Sequence, residues 1–350
     1  MHKYNVWSAR RVRPDGQRSV LMNPPLGQQV DYLRLAVTDR CNYRCVYCMP
    51  PEGVPFKPHE EILSYEDMVF FVRVAVRTGI RKVRLTGGEP LVRKGLPDLV
   101  AMIRAIPGIW GISLTTNGVL LPKFAEELKA KGLDRVNISL DSLDPERYRR
   151  LTRGGSLDDV LAGVDAALRF DLSPVKLNAV MTRDLLPELP AFVELTRERP
   201  LHVRFIEWMP VGGCGPGSTG EALQKAEVLA ALEDLGVTDG AGLGVLEPVA
   251  SPGGWGPAEY YRFPGHQGTL GFIGSVSDHF CAQCNRLRLT ADGRLKNCLF
   301  SSHEVDARAA VQARDEQAVA EVIAESLGCK TYDKNLLPGF TVRGMSQVGG

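Results

Sequence analysis

The chain has 350 residues, with 42 Lys plus Arg against 41 Asp plus Glu, so its formal net charge is +1. A content of 44% hydrophobic and 24% charged residues is ordinary globular composition and excludes a disordered or fibrous chain. Near-neutrality argues against a nucleic-acid binder that works by bulk phosphate neutralisation, and no apolar run approaches the ~20 residues that span a bilayer.

Taken in chain order, the sequence reads as alternating strands and helices. Residues 33–38 (LRLAVT) form a short apolar strand that leads into a cysteine-bearing loop. Ser64 caps a predicted helix running to about Thr78, with Gly79 as its stop. A strand over 82–86 (KVRLT) is followed by Gly87-Gly88-Glu89-Pro90 and by a helix at about 96–106. A third strand, 111–116, precedes a helix over 122–131, with Pro122 in its first turn. A strand over 135–140 ends at Asp141-Ser142, and Ser156 caps a helix over 157–170. The last two units are a strand over 175–181 with a helix at about 187–199, and a strand over 202–208. Strict alternation implies a parallel sheet, and six units are two short of a closed eight-fold barrel. Polar and Gly-rich residues cluster just after the strands, on the rim where parallel α/β folds build their sites.

Beyond about residue 210 the texture changes. Residues 211–220 and 236–257 are rich in Gly and Pro, with a helical stretch at 221–235 between them. Two short helical patterns, about 305–314 and 316–326, precede a tail ending MSQVGG. The N-terminus lacks the apolar segment of a signal peptide, so the expected compartment is the cytoplasm. Eight cysteines in a reducing compartment point away from a disulfide framework.

Those cysteines divide into Cys41, Cys45 and Cys48, then Cys281, Cys284 and Cys298, with Cys214 and Cys329 alone. A helix face is the bland reading of the first group, but Asn42, Tyr43 and Met49-Pro50-Pro51 make the segment a loop. Structural zinc takes four protein ligands, and neither group has a fourth cysteine nearby, although His279 and His303 leave a zinc site open for the second. Three cysteines would leave one iron of a [4Fe–4S] cluster open to a small molecule. The isolated cysteines read as inert thiols.

The loop CNYRCVYC, with Tyr47 before its last cysteine, resembles the signature of the radical S-adenosylmethionine (SAM) superfamily, and TGGEP about forty residues later resembles that superfamily's SAM-binding motif. The second group in CNRLRLTADGRLKNCLF and the MSQVGG terminus look like the GTP 3′,8-cyclase family of molybdenum cofactor biosynthesis. The resemblance runs from about Tyr32 to Gly350. It implies an α/β fold, an incomplete six-unit barrel whose C-terminal segment carries a second iron–sulfur cluster and covers the mouth. The expected division is an N-terminal extension (1–30) of no assigned role, a core (31–240) and a C-terminal cluster and substrate-binding region (241–350).

The resemblance also implies roles. Cys41, Cys45 and Cys48 would ligate a [4Fe–4S] cluster whose open iron chelates SAM, and Tyr47, Gly88, Ser139 and Met209 would contact SAM. Cys281, Cys284 and Cys298 would ligate a second [4Fe–4S] cluster whose open iron binds the guanine of GTP. Arg34, Arg84, Thr115, Lys176, Arg286 and Arg288 would contact GTP, whose triphosphate favours arginine forks. Arg286 and Arg288 alternate on a strand-like stretch and so share a face, and Gly349 and Gly350 would reach into the site. The implied reaction, a lyase step, splits SAM to a 5′-deoxyadenosyl radical that takes the ribose C3′ hydrogen. C3′ then bonds to guanine C8, and reduction and protonation give 3′,8-cyclo-7,8-dihydro-GTP. Implied partners are GTP, a flavodoxin- or ferredoxin-type electron donor and the cyclic pyranopterin monophosphate synthase that takes the product, with no nucleic acid or membrane and a monomeric or homodimeric state. Competing readings are another radical SAM enzyme of the peptide-maturing type and a non-catalytic metal-binding scaffold.

Overall fold

A computed structural model describes residues 30–211, 221–238, 243–278, 280–330 and 343–349. Its first part alternates as expected: β1 (Tyr32–Ala36), α1 (Tyr65–Arg77), β2 (Lys82–Thr86), α2 (Leu96–Arg104), β3 (Gly111–Thr116), α3 (Leu121–Ala130), β4 (Arg135–Ser139), α4 (Pro145–Thr152), α5 (Leu157–Arg169), β5 (Val175–Met181), α6 (Leu189–Glu194) and β6 (Leu201–Glu207). After it come α7 (Lys225–Thr238), β7 (Glu247–Val249), β8 (Glu259–Arg262), β9 (Thr269–Ile273), β10 (Arg286–Leu289), β11 (Arg294–Lys296), β12 (Val305–Asp306), α8 (Arg308–Gln312), α9 (Glu316–Gly328) and α10 (Met345–Val348). The N-terminal extension, residues 1–29 of it, and Cys214 lie outside the described residues, as does His279.

All twelve strands join one sheet, in the order β12-β11-β10-β1-β2-β3-β4-β5-β6-β9-β8-β7. The two strands that six units lack for an eight-fold barrel come from the C-terminal region. β10 pairs parallel with β1, and β9 pairs parallel with β6. Antiparallel strands then finish each edge, so the sheet curls without closing.

Period-2 alternation decides what each face does. Leu33, Leu35, Val83, Leu85, Ile112, Leu114, Val203 and Phe205 are wholly buried, on the face that packs against the helices. The intervening residues, Tyr32, Arg34, Arg84, Thr115, Ser139, Asn178 and Arg204, line a cavity on the other face. α1 shows why its segment is a helix. Met68, Phe71, Val72 and Ala75 make the buried stripe, and Ser64 and Asp67 form a capping box, a cap stabilising by about 1 kcal/mol.

The structure corrects several element expectations. α4 was not expected; Asp144 caps it, accepting from the Arg147 N–H at 2.6 Å, and Pro145 starts it. The helix expected over 187–199 is a 3₁₀ turn (Arg183–Glu188) and the short α6, because the carbonyls of Thr196 and Arg197 pair with Gly268 and Gln267 ahead of β9. The helix expected over 221–235 begins at Lys225, since Ala222 bridges to Thr182. The helix expected over 305–314 opens as β12, paired with β11, before α8.

Candidate active site

The cavity, of about 230 Å³, lies inside the curled sheet. Tyr47, Ser139 and Met209 line it at the strands' C-terminal ends, and Cys281, Cys284, Cys298, Arg286 and Arg288 line it from the C-terminal region.

The first cysteine group occupies the loop after β1. Cys48 and Met49 donate their N–H groups to the Cys45 carbonyl at 2.9 and 3.0 Å. The loop leans on α4, with Arg44 and Val46 N–H donating to Thr152 and Leu151 carbonyls. Arg153 donates to the carbonyls of Arg44 and Met49, each at 2.7 Å. Its other leg rests on the two glycines after β2. A Cβ on Gly87 would meet the Thr38 carbonyl oxygen at 2.4 Å, and one on Gly88 the Arg40 carbonyl oxygen at 2.2 Å. The close approach that demands glycine here is therefore made by the chain's own backbone.

Glu89, 1% exposed, ties the neighbouring strand ends together. It accepts from the N–H of Leu91 (3.0 Å), the hydroxyl of Thr116 (2.8 Å) and the N–H of Asn117 (2.7 Å). Burial pushes its carboxyl up to about 7 against these bonds. Asn117 donates onward to Asn42 in the cysteine loop at 2.8 Å. Tyr47 donates to Asp141 at 2.6 Å, and Asp141 also accepts from the Val180 N–H at 2.9 Å.

All three cysteines of this loop are thiols, outside any disulfide. Burial pushes Cys41 up to about 11, with the Glu89 charge adding to it. Burial also pushes Cys45 well up, and Cys48, Asp141 and Cys41 push the same way. Three thiols on one loop, with no disulfide between them, fit a polynuclear iron group.

The second group differs. Cys281 sits on a 3₁₀ turn (Phe280–Gln283), Cys284 follows it and donates its N–H to the Cys281 carbonyl at 3.1 Å; Cys298 follows β11. Burial would push the Cys284 thiol up, but the charges of Arg286 and Lys330 outweigh it and bring it down to about 6. Asn297, 2% exposed beside Cys298, lines the cavity with a side-chain oxygen that has no hydrogen-bond partner. A ready thiolate in a three-cysteine set fits an iron–sulfur group. Among the described residues no three His, Cys, Asp or Glu side chains are grouped to hold a single metal ion.

One wall of the cavity is lined by cations. Sheet register sets Arg288, Arg34 and Arg84 side by side on β10, β1 and β2. Burial lowers Arg34 well below its usual range, and the charges of Arg288 and Arg84 lower it further. Burial likewise brings Arg288 and Arg204 down to about 10. Like charges packed this way destabilise the empty protein and favour an anion among them.

Most of the expected site residues converge. Thr115 lines the cavity with a buried, unpartnered hydroxyl. Gly349, at a φ of +71°, packs against Thr86 and Ala36 at the ends of β2 and β1, and Arg288 donates to its carbonyl at 2.8 Å. Gly350 lies outside the described residues. Lys176 is not in the cavity lining: its ammonium donates to the Gly253 carbonyl, in the loop that carries Trp255. Cys329 is exposed at the end of α9. Sequence reasoning missed Arg204, Asn178 and Asn297, which line the cavity. Arg204 donates to Asn178 and Asn137 at 2.6 Å. Its signal was a charge in phase with the inward positions of an apolar strand.

The curled parallel sheet and the three-cysteine loop at its rim define a radical SAM protein. The Radical SAM superfamily model matches residues 35–196, and the Molybdenum Cofactor Synthesis C model matches residues 201–336. Solved structures share the fold at low identity. Streptococcus suis SuiB bound to precursor peptide SuiA aligns at a TM-score of 0.57 and 15% identity, over 94% of this chain and 77% of that one. Native anSMEcpe with bound AdoMet aligns at 0.54 and 13%, over 87% and 83%. A GTP 3′,8-cyclase of Pelotomaculum thermopropionicum is 49% identical over 92% of this chain and 98% of its own length. One of Moorella thermoacetica is 46% identical over 94% and 100%. The chain belongs to the GTP 3′,8-cyclase family.

Proposed function

We propose that the chain converts GTP to 3′,8-cyclo-7,8-dihydro-GTP, the first step of molybdenum cofactor biosynthesis. One observation carries the reading: Tyr47 of the first cysteine loop and all three cysteines of the second set line one cavity, together with five arginines (Arg34, Arg84, Arg204, Arg286 and Arg288). Cys41, Cys45 and Cys48 hold one [4Fe–4S] cluster, and Cys281, Cys284 and Cys298 hold the other. When bound, the first cluster with SAM would supply the radical that takes the C3′ hydrogen, and C3′–C8 bonding followed by one-electron reduction and protonation would give the product. The chain's own residues bind and orient. Tyr47, Gly88, Ser139 and Met209 surround SAM. Arg34, Arg84, Thr115, Arg286 and Arg288, with Arg204 added, hold GTP by charge-assisted hydrogen bonds, and Lys176, bonded to the Gly253 carbonyl outside the cavity lining, adds charge from beside them. Gly349 helps close the mouth and exclude water; Gly350 lies outside the described residues.

The electron donor is a flavodoxin- or ferredoxin-type protein, and a cyclic pyranopterin monophosphate synthase consumes the product. The chain works in the cytoplasm as a monomer or homodimer; no helix among the described residues is long and apolar enough to cross a membrane. The test is an anaerobic assay with SAM, a reductant and each nucleoside triphosphate in turn. GTP alone should give cyclised product with 5′-deoxyadenosine. Reconstituted protein should hold about eight irons per chain; stoichiometric zinc instead, or no product from GTP, overturns the assignment.

A further inference from the structure

The second cysteine set is held together from a distant part of the chain. Lys330, just beyond the end of α9, is 5% exposed. Its N–H donates to the Leu327 carbonyl at 3.1 Å, so the helix end fixes its backbone. Its ammonium donates to the carbonyl of Arg286 at 3.0 Å, to that of Asn297 at 2.6 Å and to the Cys284 sulfur at 3.5 Å. A buried ammonium has three N–H donors and must place them all. These acceptors stand at the two ends of the spacer between Cys284 and Cys298. One side joins the Cys281–Cys284 turn, the other the residue before Cys298.

We infer that Lys330 is a positioning residue of the second cluster: it fixes the Cys281–Cys284 turn against Cys298 and gives the Cys284 sulfur a charge-assisted hydrogen bond. The inference rests on the reading of those cysteines as cluster ligands. Hydrogen bonds and positive charge at a ligand sulfur favour the reduced cluster.

The test uses the full chain with Cys41, Cys45 and Cys48 all changed to Ala, so that only the second cluster loads. Its midpoint potential and the rate of iron loss to a chelator are then measured with Lys330, Lys330→Met, Lys330→Gln and Lys330→Arg. Lys330→Met should move the potential to a more negative value and speed iron loss about tenfold, and Lys330→Arg should recover most of both. Wild-type values for Lys330→Met, or equal values for Met and Arg, overturn the inference. Where Lys330→Met does not fold, Gln against Arg decides: a negative shift in Gln alone supports the role, and identical potentials overturn it. A parent chain that takes up no iron overturns the ligand assignment itself, a separate failure that removes this inference with it.

Discussion

Arg288 on β10 donates to the carbonyl oxygen of Gly349 at 2.8 Å, so the strand that completes one edge of the barrel also holds the chain's tail across its mouth. Arg343 anchors the start of that tail, donating to Asp292 at 3.0 Å and to Glu304 at 3.0 Å. Gly349 must be glycine twice over: its φ is +71°, and a Cβ would meet the Thr86 methyl at 2.8 Å. Gly349→Ala should displace the tail, and a shift of ~1 Å costs about a hundredfold in a positioned reaction. Cyclisation should fall by at least about tenfold, while 5′-deoxyadenosine formation continues. Chromatographic quantitation of both products checks this, and a parallel loss of both counts against it.

The two cysteine sets should separate by function. Cys45→Ala removes a thiol from the loop after β1 and should abolish SAM cleavage. Cys284→Ala should leave SAM cleavage in place and chiefly weaken GTP binding and turnover. Equal loss of 5′-deoxyadenosine in both variants would falsify separate roles.

Strand alternation made the core legible, and β2, β3 and β5 match their expected bounds because short apolar runs are closed by clear turn signals. β9, five residues in Gly- and Pro-broken sequence, carried no such signal, and of β10 only the strand-like stretch bearing Arg286 and Arg288 was legible; both owe their place in the sheet to pairing with β6 and β1, far back in the chain. Cysteine spacing marked both three-cysteine sets proposed as ligands, since chemistry rather than packing dictates it. Arg204 and Lys330 carried no such mark. A buried cation looks like a surface one until its acceptors, Asn178 and Asn137 or Arg286 and Asn297, are brought to it by the fold.

Glu89 should matter for stability as well as for the site. Glu89→Ala leaves the Leu91 and Asn117 N–H groups and the Thr116 hydroxyl buried without their acceptor. The expected loss is about 2–4 kcal/mol, with Glu89→Gln intermediate because its amide nitrogen cannot accept. Urea unfolding of the cluster-free protein measures it; a loss within about 0.5 kcal/mol removes Glu89 as the tie between the loops.

Lys176 predicts proton uptake. Burial, with the charges of Arg204, Arg84 and Arg135, brings its amine down to about 6, so it is mostly neutral at pH 8. A triphosphate nearby reverses that balance and raises the amine again. GTP binding at pH 8 should therefore take up about one proton, read as a slope of binding heat against buffer ionisation heat. Lys176→Met should flatten the slope; a flat slope in the parent protein contradicts the role.

His202 predicts an acid-side loss of stability with a defined window. It is 8% exposed, its Nδ1 lies 2.9 Å from the Thr269 hydroxyl across the β6–β9 pair, and burial with the charges of Lys176 and Arg204 lowers it to about 4. The unfolded chain titrates this group near its usual value of about 6.5. Between about 4 and about 6.5 the unfolded state binds more protons, so stability rises with pH there. The contribution is complete above about 6.5 and is lost as pH falls through about 4. Lys176 changes its share only above about 6, so most of the window belongs to His202. His202→Gln keeps a hydrogen-bonding side chain that does not titrate. The difference in unfolding free energy between parent and variant should shrink by roughly 1–3 kcal/mol on going from pH 7 to pH 4. Urea unfolding at half-unit steps follows it, and a difference that stays constant across the window shows that His202 does not titrate as the packing of β6 against β9 requires.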